Sequence, residues 1–144
     1  MNCPSSSSPN RITDVATAFI PDRNDIVWLD FEPTKGREIG KYRPALVLTS
    51  LVYHQRTGLL ICCPISTSVR GAPTEVPVRN LDQPCVVVCN LVHTLDWKAR
   101  QVKKAAEGAP GLMMDVLARL IPLIGADLLL ASPESTPAGK EPSP

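Results

Sequence analysis

Five short apolar runs, each bounded by turn-forming residues, restrict what this 144-residue chain can fold into. They are Asp25-Ile26-Val27-Trp28-Leu29-Asp30-Phe31, Ala45-Leu46-Val47-Leu48, Leu59-Leu60-Ile61-Cys62-Cys63, Glu75-Val76-Pro77-Val78 and Cys85-Val86-Val87-Val88-Cys89. Their lengths and their β-branched and aliphatic side chains suit strands, and Gly, Pro, Asn or Asp separates them. The intervals are too short for crossover helices, which parallel neighbours need, so the sheet should be mainly antiparallel and strongly coiled, toward a small barrel. Pro77 has no backbone N–H, which places its strand at an edge or at a bulge.

Downstream the period changes. Leu112, Met113, Val116, Leu117, Leu120, Ile121 and Ile124 recur at spacings of three and four, predicting a helix with one apolar face. Pro110 suits its first turn and Gly125 its stop. Pro122 predicts a kink or an end, because an interior proline loses a hydrogen bond and clashes with the preceding turn. Leu128-Leu129-Leu130 then form either a last packed turn or part of a partner surface. Residues 1–20 have little apolar density, and 132–144 are rich in Pro, Ser and charge, so both are expected to be flexible tails around a working domain over 21–131.

The formal net charge is +1, so any polyanion site must come from local clustering of cations. Aromatic residues make up 4% of the chain, which argues against base stacking as the main mode of nucleic-acid capture. No apolar run approaches the roughly 20 residues that span a bilayer. Met1-Asn2-Cys3-Pro4 and the serines after it lack the features of a signal peptide, so no membrane association and a cytoplasmic location are expected. Cys62 and Cys63 are adjacent and must face opposite sides of a strand; Cys85 and Cys89 have no second pair at zinc-finger spacing. With His54 and His93 isolated, buried reduced thiols are expected rather than a metal site.

Three clusters could carry chemistry. Between the first two runs, Lys35, Arg37, Lys41 and Arg43 place four cations in nine residues, with Gly36 and Gly40 permitting close backbone approach. Such a loop on a rigid sheet can bind phosphate, or it can simply be a solvated charged loop. Arg43 is held differently: Pro44 keeps it out of the helical region at the mouth of an apolar strand, where it meets phosphate or pairs with Glu32 or Glu38. After the third run, Ser66, Thr67 and Ser68 with Arg70 can donate to phosphate oxygens, or form an ordinary Ser/Thr turn. The third cluster is Asp96-Trp97-Lys98-Ala99-Arg100, continuing to Lys103 and Lys104, with Trp97 readable as a core or a dimer-interface residue.

Several segments together resemble the MazF/PemK toxin family. They are Asp25 to Glu38, then Tyr42-Arg43-Pro44-Ala45-Leu46-Val47-Leu48, Cys63-Pro64-Ile65-Ser66-Thr67, Arg70 to Val76, and Val92-His93-Thr94-Leu95-Asp96-Trp97-Lys98-Ala99-Arg100, in order over roughly residues 20 to 125. The resemblance implies a mainly β (α+β) fold: a small coiled antiparallel SH3-like barrel with a C-terminal helix, MazF/PemK/CcdB-like. It implies a homodimer that cleaves single-stranded RNA without metal or cofactor, and a cognate antitoxin whose extended segment occupies the RNA groove. By the same resemblance the catalytic residues are Arg43, Ser66 and Glu38. RNA contacts fall to Lys35, Arg37, Lys41, Thr67, Ser68, Arg70 and Lys98. Asn24 stands where the family usually has glycine, Ser66 where it has threonine, and Ile39 where glutamine is common. Cys89-Asn90-Leu91-Val92-His93 replaces a segment that often reads Ala-Asp-Gln-Val-Lys. The alternatives are a non-catalytic protein-binding toxin and a degenerate antitoxin binder on the same fold. Arg43 with Ser66 favours the nuclease, and a zinc protein ranks last.

Overall fold

The computed structural model describes residues 19–131. The expected tails therefore lie outside the described residues, apart from Phe19 and Ile20, which pack against buried core residues and belong to the domain. Seven strands make one antiparallel sheet: β1 (Asp25–Asp30), β2 (Tyr42–Val47), β3 (Leu59–Ser66), β4 (Glu75–Val78), β5 (Cys85–Val88), β6 (His93–Asp96) and β7 (Lys103–Glu107). Their order is β4-β5-β3-β2-β1-β7, with β6 also paired to β3. A short helix α1 (Leu51–Thr57) joins β2 to β3; α2 (Leu112–Leu123) and α3 (Asp127–Leu130) follow the sheet.

The third strand runs past Pro64 to Ser66, although the proline makes Cys63 the natural end of the apolar run. The pairing explains why. One edge of β3 pairs with β2, whereas the other serves β6 over Leu59–Cys62 and β5 at Ile65 and Ser66. Pro64 sits where β6 has ended and β5 has not begun, so its missing N–H deprives no neighbour. Pro77 lies in β4, an edge strand, as its chemistry requires.

Because side chains alternate along a strand, the sheet feeds two cores. Ile26, Leu46, Cys63, Ile65, Val76 and Val87 pack with Leu112 and Val116 of α2. Val27, Leu29, Ala45, Val47, Leu60, Cys62 and Trp97 pack within the curl of the sheet. Cys62 and Cys63 thus belong to different cores. Trp97 is a core residue, and its Nε1–H donates to the His54 carbonyl at 3.0 Å. His54 is fully buried: Nδ1 donates to the Pro21 carbonyl and Nε2 meets the Thr49 hydroxyl, each at 2.6 Å.

Local signals account for several boundaries. Ser50 caps α1 by accepting the Tyr53 N–H, and Gly58 ends it at φ +74°. Pro110 stands before α2 rather than in its first turn, because Gly111 turns left-handed at φ +88° and the helix starts at Leu112. The helix closes one residue after Pro122, and Gly125 follows at φ +79°. Leu128, Leu129 and Leu130 are exposed, so α3 is no packed turn. Asn24 has φ +76°, a left-handed conformation that glycine adopts freely and asparagine tolerates. Its side chain also donates to the Gly108 carbonyl at 3.1 Å.

Truncating Leu46, central in the sheet and fully buried, should cost about 2–5 kcal/mol through lost burial and a residual cavity. Leu129→Ala, at a side chain 85% exposed, should change stability by less than about 0.5 kcal/mol. Urea unfolding of both variants checks the contrast.

Candidate nucleic-acid interface

The β1–β2 connection is pinned by its own polar groups. Phe31 N–H donates to the Lys41 carbonyl and closes its base. One carboxylate oxygen of Glu32 accepts the Lys41 N–H at 2.8 Å, and Glu38 Oε1 accepts the Lys35 N–H at 2.7 Å. Arg100 Nη1 donates to the carbonyls of Asp30 and Glu32 at 2.6 and 2.7 Å, fastening the loop from outside. With both glutamates turned onto the backbone, Lys35, Arg37 and Lys41 stay exposed, with no ion pairs among the described residues.

Arg43 does not pair with Glu32 or Glu38. Its Nε donates to the Gly40 carbonyl at 2.7 Å, which leaves both Nη atoms without a hydrogen bond among the described residues. Partial burial draws its pKa below the usual arginine value, though guanidinium keeps its proton at any physiological pH. Ser66, at the end of β3, is buried, and its Oγ accepts the Ser68 N–H at 3.0 Å. The β2–β3 register pairs Ala45 with Pro64; carried two residues further, it sets Arg43 opposite Ser66. Directly opposed residues project to the same face, so this register directs the guanidinium and the hydroxyl to one side of the sheet.

On that face Arg37, Glu38, Ser66, Ser68, Arg70 and Glu75 line a cleft of about 240 Å³. A neighbouring cleft of about 480 Å³ shares Arg37, Arg70 and Glu75 and extends to Asn90. Two arginines alternate with two glutamates here, so the groove is not a plain cationic trough. Glu75 Oε1 accepts the N–H groups of both Arg70 and Gly71 at 3.0 Å, closing the β3–β4 loop.

Of the residues singled out from sequence, Arg37, Glu38, Ser66, Ser68 and Arg70 meet in this groove, with Arg43 beside it by register. Lys35 and Lys41 stay on the adjoining loop. Thr67 lines a separate cleft on the opposite face, as strand alternation demands. Lys98 does not join the group: it follows β6, whose last residue pairs with Leu59 at the far end of β3 from Ser66, and its Nζ lies 5.5 Å from the Trp97 ring centroid. Glu75 was given no role from sequence, and Arg100 was noted only as a member of the third cluster, not as the clamp of the β1–β2 loop. A lone glutamate and an arginine that bonds only to carbonyls carry no spacing signal.

Among the described residues no group of three His, Cys, Asp or Glu side chains is placed to hold a metal ion. Burial pushes the thiol of Cys63 up to about 12 and that of Cys89 to about 11, and raises Cys62 and Cys85 as well.

The arrangement defines a small curled β-sheet protein with a polar groove at one sheet end. Residues 22–124 match the family model described as PemK-like, MazF-like toxin of type II toxin-antitoxin system. The endoribonuclease toxin MazF of Escherichia coli K12 is 34% identical over 111 residues, covering 77% of this chain and 100% of that protein. The crystal structure of MazF from Deinococcus radiodurans superposes with a TM-score of 0.72 at 36% identity, over 75% of this chain and 99% of that one. A chain of a MazE–MazF crystal structure from the same organism gives 0.67 at 36% identity, over 75% of this chain and 98% of that one. The chain belongs to the PemK-like, MazF-like family of type II toxin–antitoxin toxins.

Two outcomes are expected. Glu75→Ala should release the β3–β4 loop, read as faster hydrogen exchange at the Arg70 and Gly71 amides with strand amides unchanged. The four described thiols should stay inert to a thiol reagent at pH 8 and react only on unfolding, since the thiolate is the reactive form. Ready reaction in the native protein would contradict their burial.

Proposed function

We propose that this chain is a toxin endoribonuclease that cuts single-stranded RNA and is held in check by a cognate antitoxin. The observation that supports the reading is that Glu38 and Ser66 line one groove while the β2–β3 register, carried on, sets Arg43 opposite Ser66, in a family whose E. coli member is named an endoribonuclease. RNA supplies its own nucleophile, the 2′-hydroxyl. The protein has to align that hydroxyl with the leaving 5′-oxygen and stabilise charge on the phosphorane-like transition state. The free Nη atoms of Arg43 contact the non-bridging oxygens, and the Ser66 hydroxyl donates to the same phosphate. Glu38 has one oxygen held by the Lys35 amide; the other orients Arg43 or accepts the 2′-hydroxyl proton. Arginine holds its own proton too tightly to be an efficient acid, so its part is electrostatic. The 2′-oxygen bonds to phosphorus as the P–O5′ bond breaks, Glu38 takes the 2′-hydroxyl proton and solvent water gives one to the leaving 5′-oxygen, so the products are a 2′,3′-cyclic phosphate and a 5′-hydroxyl, formed without metal or cofactor.

Lys35, Arg37, Lys41, Ser68 and Arg70 contact the RNA backbone beside the cut. The protein works in the cytoplasm as a homodimer. Met114, Leu123 and Ile124 of α2 and its end stay exposed, an apolar surface that a second copy covers. The antitoxin assignment draws support from the solved MazE–MazF assembly that this chain resembles.

With a long single-stranded RNA in EDTA, wild type should make discrete cuts with cyclic-phosphate and 5′-hydroxyl ends. Arg43→Ala should lower kcat by roughly 100- to 1000-fold, the usual cost of removing a transition-state donor. Ser66→Ala should fall similarly, while Ser66→Thr keeps the hydroxyl and most of the activity. Equal cutting by Arg43→Ala and wild type would refute the assignment, and no cutting by antitoxin-free, folded wild type would favour a non-catalytic binder.

A further inference from the structure

Two of the chain's few aromatic residues stand together in the open. Trp28 on β1 is 38% exposed and Tyr42 at the start of β2 is 56% exposed. Their rings stack with centroids 5.4 Å apart and planes 12° from parallel. Neither closes a core, since both cores are filled from other positions. Trp28 also lines a cleft of about 300 Å³ with Pro44, Ile65, Thr67, Asp82 and Gln83. Tyr42 does not line it and braces the indole by stacking. That volume is at the small end of ligand sites and suits one planar heterocycle.

Chain connectivity ties this cleft to the groove. Pro44 follows Arg43 and Thr67 follows Ser66, so two pairs of consecutive residues present one member to each face of the same sheet end. The two clefts therefore open on opposite faces of that end, and an RNA strand crossing the end of the sheet passes from one to the other. Lys103, the β7 partner of Trp28, is exposed and makes no ion pair among the described residues, a cation free for the RNA backbone there.

We propose that Trp28, braced by Tyr42, is a stacking subsite for one base flanking the scissile phosphate, with Thr67, Asp82 and Gln83 reading that base's edge. The subsite deepens the endoribonuclease reading and rests on it. A single platform also agrees with the scarcity of aromatic residues: one base is stacked, not a run of them.

The test uses the full chain and three proteins: wild type, Trp28→Ala and Trp28→Phe. Trp28 is part-exposed, so its truncation leaves the cores intact, and circular dichroism confirms the fold. On cleavable single-stranded RNA, Trp28→Ala should raise KM roughly tenfold with kcat within about twofold, and Trp28→Phe should restore most of the loss. With bases around the cut replaced one at a time by abasic sites, one position should cost wild type about tenfold and cost Trp28→Ala nothing further. The difference in emission between wild type and Trp28→Phe should be quenched by a mixed-sequence RNA carrying 2′-deoxy sugars, which binds uncut. Equal abasic penalties in wild type and Trp28→Ala overturn the proposal. So does unchanged Trp28 emission with RNA bound, or a response to the antitoxin's peptide alone, which would give the cleft to the antitoxin. Cutting that is indifferent to Trp28 removes the subsite and spares the nuclease. Binding and quenching without any cutting removes the nuclease and keeps the subsite; neither binding nor cutting removes both.

Discussion

β3 forms hydrogen bonds along both edges, and on one edge it serves two different strands in succession. Everything at the groove is referred to this arrangement. Handing the edge from β6 to β5 lets the sheet curl over one core while β4 and β5 help enclose the other. It also carries β3 out to Ser66, where its last residues are paired by β5 as β2 leaves toward the loop. Without that pairing the hydroxyl would sit on a free end, and its position at the groove would be one conformation among many. Pro64 occupies the gap between the two partners, the one stretch of this central strand where a missing donor is harmless.

The sheet was largely legible because burial on both faces leaves continuous apolar runs, as in Val86-Val87-Val88, and turn residues punctuate them. What the pattern missed had little apolar content or ran against a local rule. β7 reads Lys-Lys-Ala-Ala-Glu, and its place beside β1 comes from tertiary pairing that no local propensity announces. β6 is four residues long and half exposed. α1 is too short for a helical period to show, although Ser50 and Gly58 mark its two ends. Proline ended the third run early on paper because the rule against it assumes that every central residue has a partner on both sides.

The site was legible to a different degree. Arg43, Ser66 and Glu38 came from resemblance to a family; the structure puts Ser66 and Glu38 in one groove, and the β2–β3 register points Arg43 to the same face. Composition pointed to a basic loop without showing that Glu32 and Glu38 would fold back on its backbone, or that the groove would alternate in charge. Thr67 was grouped with its neighbours Ser66 and Ser68, and Lys98 was drawn from a separate basic cluster. Strand alternation sends the first to the other face, and the path of β6 carries the second to the other end. Asn24 shows a departure from family pattern resolved by conformation: the position demands a left-handed backbone, and asparagine is the side chain that best survives it.

Pro77 has a bearing on how the molecule can meet others of its kind. It lies within β4, an outermost strand whose four residues make a short ledge onto which a foreign segment could zip. A chain docking there would meet a nitrogen with no hydrogen to give, and only one or two backbone links on either side. Lateral accretion of sheet on sheet, the route by which strand-rich proteins clump into fibres, is thereby blunted at this border. Association is steered instead toward side-chain surfaces, which can be selective about their company.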